Sequence, residues 1–340
     1  MQLFWGLLII ALGSFGQSSS YVPVNRVKQW PWEGFWLTQG VFAWVLFPLA
    51  GACFALPAGS GLMSLFSADG ALRAIVFGAL WGVGGLTFGL SMRYLGVALG
   101  QSVSLGTCSA FGTLLPVLFG GTNLMEGSGL VLLAGVCITL AGIAVIGYAG
   151  FLREKTMSRA DRAAAIRDFA FTKGLLVALL AGVMSACFAL GLDAGQAFRV
   201  QAVAAGVDPL FAGLPVVFLV TLGGFLTNAL YCLYPRRRAE EAQAAPVPLK
   251  VVVNNVLFCA LAGLLWYSQF FGLEVGRSFL AGSPVLFAFS WSILMSLNVV
   301  FSNVWGVVLH EWRGSSRMTM AVLAAGLVLL VFSVFFPSIC

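Results

Sequence analysis

The residues of this chain that could do chemistry are amides, indoles and a few charges set inside long apolar runs. Gln17, Gln39, Gln101, Asn228, Asn254, Asn255, Gln269, Asn298 and Asn303 interrupt such runs, joined by Ser18, Ser19, Ser20 and Ser102. An amide in hydrocarbon must find hydrogen-bond partners, so these side chains are expected to face a bundle interior. Taken singly, each is accounted for by an interhelical hydrogen bond of about 0.6–2 kcal/mol. As a set, beside Trp81, Trp266, Tyr267 and Trp291, they suit a lining for a neutral polyol. Aromatic faces would take the apolar side of a sugar ring while amides take its hydroxyls. Gln17, Trp81, Gln101, Asn255, Trp266, Tyr267, Gln269, Trp291 and Asn298 are therefore the candidate solute contacts.

Charge inside the runs is scarce. Of twelve carboxylates none falls at the middle of an apolar stretch; Asp193 and Glu274, each near the end of one, come closest. A carboxylate there could carry a proton inward, or be an interfacial charge wetted by water. His310, the only histidine, precedes Glu311 at the end of another stretch and is the third candidate for proton coupling. Asp208 before Pro209 reads as a helix N-cap with Pro at the first position.

Covalent chemistry is not indicated. None of the lysines follows a phosphate-binding glycine loop, there is no HExxH motif, and no serine motif pairs with His310. The seven cysteines (53, 108, 137, 187, 232, 259 and 340) are scattered, with no CxxC pair, and suit apolar filler better than disulfides or metal ligands. The expectation is a protein that is not an enzyme, with no cofactor, metal, nucleotide or nucleic acid, whose partners are a solute, a proton and the lipid bilayer.

The elements that must position these residues follow from composition. With 60% hydrophobic and 9% charged residues, no soluble fold could cover the apolar side chains. A bilayer core of about 30 Å needs about 20 apolar residues per helix. Ten such stretches fall near 3–22, 35–56, 73–95, 97–119, 128–150, 174–198, 210–234, 251–273, 283–309 and 320–338. Each must be helical, because lipid offers an open backbone no partner. The first stretch lacks the basic start and small-residue cleavage site of a signal peptide and reads as a permanent span.

Fifteen of the eighteen Lys and Arg residues lie in the connections after odd-numbered stretches; Arg73, Arg199 and Arg277 are the others. That split predicts the cytoplasmic (inner) membrane, odd connections in the cytoplasm and both termini outside. The basic connection 151–173 divides the chain into five-helix segments, 1–150 and 174–340, the second entering from the opposite side. Short likenesses between them, such as VFGALWG (76–82) and LFCALAG (257–263), suggest an inverted repeat. Glycines four apart, Gly78 and Gly82, Gly85 and Gly89, Gly96 and Gly100, predict close helix packing.

Several segments resemble the L-rhamnose–proton symporter family, a ten-helix branch of the drug/metabolite transporter superfamily. They are VKQWPWEGFW (27–36), FGALWGVGGLTFGLSMRYLG (77–96), AAGVDPLFAGLP (204–215), NNVLFCALAGLLWYSQFF (254–271), SWSILMS (290–296) and GVVLHEW (306–312). The resemblance implies an all-α integral membrane fold of ten transmembrane helices, a 5+5 inverted repeat around a central cavity. It also implies a secondary active transporter importing a neutral deoxyhexose, L-rhamnose first, with a proton. A permease or exporter of another small polar metabolite would share that architecture. Trp81, Arg93, Tyr94, Asn255, Trp266, Tyr267, Gln269, Ser290 and Trp291 stand at matching positions. The chain departs from the family at His310, where lysine is expected, and at Asp193 and Glu274, where the family is uncharged. Gln39, Asn298 and Asn303 are also particular to this chain.

Overall fold

The structure, a computed structural model, describes residues 1–95, 97–156, 171–234, 247–310 and 312–339. Gly96, most of the basic connection, Arg236 to Arg238, Glu311, Cys340 and the side chain of Arg93 lie outside the described residues. Ten helices among those described are long and apolar enough to cross a membrane, and the chain is an all-α multi-pass membrane protein. In chain order they are α1 Gln2–Val24, α2 Trp32–Phe54, α3 Ala71–Met92, α4 Gly100–Phe119, α5 Gly127–Lys155, α6 Phe171–Ala204, α7 Leu214–Leu233, α8 Leu249–Phe279, α9 Pro284–Val308 and α10 Arg317–Ser338. The sequence-predicted spans coincide with these, with ends displaced by a few residues.

Three local features depart from the simple pattern. Helix α6 is broken at Gly195, and a separate nine-residue helix, Gln196–Ala204, follows it. This short helix carries Arg199, which the sequence places in an outer connection. Helix α2 is α-helical over Trp32–Gly40, π-helical over Val41–Leu46 and α-helical again over Phe47–Phe54. Pro48 has no N–H to offer the carbonyl of Trp44 four residues back, so the α ladder cannot close there. The wider turn is the response, and the Phe47 N–H reaches back five residues to Phe42. Finally, Asp208 does not cap α7. Its carboxylate accepts from the Leu210 N–H at 2.9 Å, closing a local turn, and α7 begins at Leu214 with Gly213 as its N-cap.

The chain forms two compact units, each drawing segments from before and after the basic connection. The first comprises Met1–Gly6, Val83–Leu190 and Arg277–Cys340. Its core joins α5, α9 and α10 through Ile143, Ile146, Val299, Leu323 and Leu330. Gly142 and Gly326 bring α5 and α10 close: a Cβ on Gly142 would lie 2.7 Å from Leu330, and one on Gly326 2.6 Å from Ile146. Buried hydroxyls tie α4 to α9, with the Ser292 Oγ 3.0 Å from Ser109 and 2.8 Å from Thr113.

The second unit comprises Leu7–Gly82 and Gly191–Gly276. Here α3 and α7 are in backbone contact, Gly78 lying against Val220 and Gly82 against Gly224 and Thr227. The Thr227 hydroxyl donates across to the Ala79 carbonyl at 2.9 Å. Helices α1 and α8 meet at Gly13 and Gly272. The expected close packing thus applies to Gly78 and Gly82, whereas Gly85 and Gly89 have nothing within 4 Å of where a side chain would begin. One amide also escapes the inward rule. Asn254 is exposed, because it lies in the first two turns of α8, where a polar side chain can reach past the apolar layer.

Candidate functional site

The second unit collects most of the sequence-predicted residues around a cluster of tryptophans. Trp44 stands at its centre, edge-on to Trp36, Trp81 and Trp266 at ring-centroid separations of 5.4, 5.9 and 5.8 Å. Trp81 and Trp266 lie 5.7 Å apart with their planes tilted by 38°, and Phe270 borders Trp266 at 5.2 Å. Edge-to-face geometry of this kind is favoured by the ring quadrupoles.

Three of the rings have an identifiable support. The Trp36 Nε1–H donates to Asn228 Oδ1 at 2.9 Å, while the Asn228 amide donates to the Gly224 carbonyl at 2.8 Å. Trp32 stacks on Trp36 at 5.3 Å. Trp81 lies directly on Gly224, where even a Cβ would overlap the ring. Trp44 belongs to the π-helical stretch of α2, so the turn imposed by Pro48 sets its bearing.

Four buried polar atoms of uncharged side chains in this unit have no hydrogen-bond partner among the described residues: Ser14 Oγ, Gln39 Oε1, Trp44 Nε1 and Tyr267 Oη. Each such orphan costs about 1–3 kcal/mol, so a folded chain keeps one only where something else meets the need. Tyr267 Oη rests against Gly51, where a side chain would collide with it. Gln269, 4% exposed, donates to the Trp266 carbonyl at 3.2 Å.

The other sequence-predicted residues fall as follows. Asn255 is fully buried, and its amide both accepts from the Lys28 N–H at 3.1 Å and donates to the Lys28 carbonyl at 2.7 Å. Gln17 is half-buried and accepts from its neighbour Ser18 at 3.3 Å. Gln101, Trp291, Asn298 and His310 belong to the first unit. There Trp291 stacks on Phe188 at 5.9 Å and donates to the Cys108 carbonyl at 3.3 Å. Ser290 is buried and donates to the Phe287 carbonyl, while Gln101 and Asn298 are half-buried. Tyr94 carries the Lys173 ammonium over its ring at 4.7 Å. Asn303 donates to the Val299 carbonyl of its own helix at 2.9 Å.

The three proton-coupling candidates separate clearly. Asp193 and His310 are exposed. Glu274 is 1% exposed, and its Oε2 lies 3.9 Å from the Arg199 guanidinium, itself buried. Gly213, without a side chain, makes the room that the Glu274 carboxylate occupies. Sequence reasoning missed Trp36, Trp44 and Arg199. The tryptophans had a signal in their spacing, since 36 and 44 are eight residues apart in one span, but Arg199 had only its charge, which reads as solvated.

Among the described residues no group of three His, Cys, Asp or Glu could hold a metal ion, and no disulfide forms. What the arrangement offers is an aromatic surface, unpaired hydrogen-bonding atoms and a buried carboxylate inside apolar helices. Those features define a multi-pass membrane protein that handles small polar solutes.

The comparisons narrow this class. The chain belongs to the L-rhamnose–proton symporter family, whose description, L-rhamnose-proton symport protein, matches residues 1–337. It is 32% identical over 340 residues to an L-rhamnose-proton symporter of Mannheimia succiniciproducens, covering 98% of this chain and 95% of that one. L-rhamnose-proton symporters of Salmonella enteritidis and Escherichia coli are also 32% identical, covering 98% and 97% of this chain and 95% of theirs. The family is one of transporters, so the chain is a transporter and not an enzyme. A crystal structure with 18% sequence identity superposes with a TM-score of 0.52 over 98% of this chain and 96% of the other, a likeness of fold.

Proposed function

We propose that this protein imports L-rhamnose together with a proton across the cytoplasmic membrane, with both termini outside and the basic connections in the cytoplasm. The observation that carries the sugar site is the tryptophan cluster with its orphaned polar atoms inside a membrane-embedded unit. A 6-deoxy sugar has an apolar methyl edge and several hydroxyls. Trp44, Trp81 and Trp266 supply faces for the first. The Trp44 N–H, the Tyr267 hydroxyl and the Gln39 and Gln269 amides supply partners for the second. Gln17, Gln101, Trp291 and Asn298 remain candidate contacts, and Asn255 is one whose amide already has partners.

Glu274 is the proposed proton carrier, being the one candidate sequestered from water. Lipid surrounds the apolar exterior, and neither nucleotide nor nucleic acid has a part. The fold reads as two five-helix repeats, 1–150 and 174–340, joined by the linker 151–173. Their odd helix count inserts them in opposite senses. The driving force suffices: one charge moving through about 100 mV yields about 2.3 kcal/mol, roughly a fiftyfold accumulation per proton.

Proteoliposomes test this directly. Labelled L-rhamnose is expected to concentrate when an inward proton gradient is imposed and to equilibrate without one, and Glu274→Gln is expected to abolish the concentrating step. Rhamnose that never exceeds the external level under any gradient refutes import by symport and leaves a permease or exporter of another metabolite.

A further inference from the structure

We propose that Arg199 is the positioning residue for proton release, the counter-charge that makes Glu274 give up its proton; this rests on Glu274 as the proton carrier. Three observations converge. The guanidinium lies 3.9 Å from Glu274 Oε2, with 10% of the arginine side chain and 1% of the glutamate side chain exposed. Arg199 is carried by the short helix Gln196–Ala204, set off from the rest of α6 by the break at Gly195. Gly213 at the start of α7 leaves the carboxylate room beside it.

The charged and titratable groups around the carboxylate come from few elements. Arg199 faces it from the short helix, Gly213 at the N-cap of α7 brings no charge, and its own helix carries Tyr267 seven residues before; Arg277, three residues on, belongs to the first unit and lies over the Phe287 ring at 4.9 Å. Asp193, two residues before the break in α6, and Asp208, in the connection before α7, are exposed.

A buried carboxylate without a cation gains much by holding its proton; one beside a fixed guanidinium forms a neutral ion pair when the proton leaves. Release is then simple to balance. The O–H bond of Glu274 breaks, its electron pair stays on the carboxylate oxygen, the proton passes to water that reaches the pair from the cytoplasmic side, and Arg199 closes on the anion. In the loaded state the pair carries one net positive charge, which is the charge the membrane potential acts on.

Arg199→Gln, reconstituted in proteoliposomes, is expected to keep sugar-for-sugar exchange while gradient-driven accumulation falls by about tenfold or more. Its exchange should also lose the pH dependence of the parent protein, and Arg199→Lys should restore part of both. Wild-type accumulation with a wild-type pH profile in Arg199→Gln overturns the proposal. So does a loss of exchange and accumulation in equal proportion, which marks a merely structural role. If Arg199→Gln fails to fold, the pair Glu274→Gln and Arg199→Gln/Glu274→Gln decides. Equal behaviour is expected, because Arg199 acts only through Glu274, and a further loss in the double variant overturns the idea. Accumulation undiminished in Glu274→Gln alone instead refutes the proton-carrier reading on which this one stands.

Discussion

Gly224→Ala tests whether the tryptophan cluster is placed by the absence of side chains beneath it. Trp81 covers Gly224 so closely that the new methyl would overlap the six-membered ring of the indole. Ordinary carbon contacts lie at about 3.5–4.0 Å, so ring or backbone must shift by more than about 1 Å. The ring has little room, with Trp44 and Trp266 centred 5.9 and 5.7 Å away. Overpacking of this kind costs about 1–3 kcal/mol, and replacing a helix-interior glycine returns about 0.5–1 kcal/mol. The net loss of stability is therefore no more than about 2.5 kcal/mol, and the variant should fold. A displaced Trp81 forfeits an aromatic contact of about 0.5–1.5 kcal/mol with the sugar, which is about 2- to 12-fold in affinity. Rhamnose KM in proteoliposomes and the intrinsic tryptophan emission read the two effects together. Gly89→Ala is the control, since nothing lies within 4 Å of its Cβ position. A Gly224→Ala protein with unchanged KM and unshifted emission refutes the reasoning.

Two further outcomes separate solute contacts from structural ones. Trp44→Phe keeps an aromatic ring but removes the buried N–H that has no partner among the described residues. Its Tm should hold or rise while rhamnose KM increases about 2- to 12-fold, the worth of one hydrogen bond; an unchanged KM removes Trp44 N–H from the site. Asn255→Ala should lower Tm in detergent, corresponding to about 1–3 kcal/mol, because both backbone groups of Lys28 lose their partner. Its KM should stay near wild type, and the reverse pattern would place Asn255 at the sugar.

The spans were legible because lipid leaves one signal dominant, the length of an apolar run, and every run of about 20 residues became a helix. Breaks within spans were not. Gly195 stands between Asp193 and Gln196, where polar residues thin the apolar run and a break in a helix looks the same as its end, so the helix beyond it reads as loop and Arg199 as a solvated charge. The π-helical stretch was hidden likewise. Pro48 announces a disturbance but not its kind, since a kink, a break or a wider turn would all answer the missing N–H. Trp81 and Trp266 are legible because both lie in segments that carry the family resemblance, and the helix of Trp266 is also marked by buried amides. Trp44 has only apolar neighbours in sequence, and its central place depends on contacts from α3 and α8 that no single stretch displays.

The wide turn in α2 also bears on which changes of length this helix can absorb. From Val41 to Leu46 the backbone holds more residues per turn than the α path requires. Removing one would let the ladder run on in ordinary register and rotate everything before it by about 100° about the axis. Trp36 would swing off Asn228 and Gln39 would leave the bundle interior, although every residue lost or kept is apolar. The number of residues between Gly40 and Pro48 is thus as much a part of the recognition surface as their identities. A single-residue deletion there should be tolerated far less well than any conservative exchange.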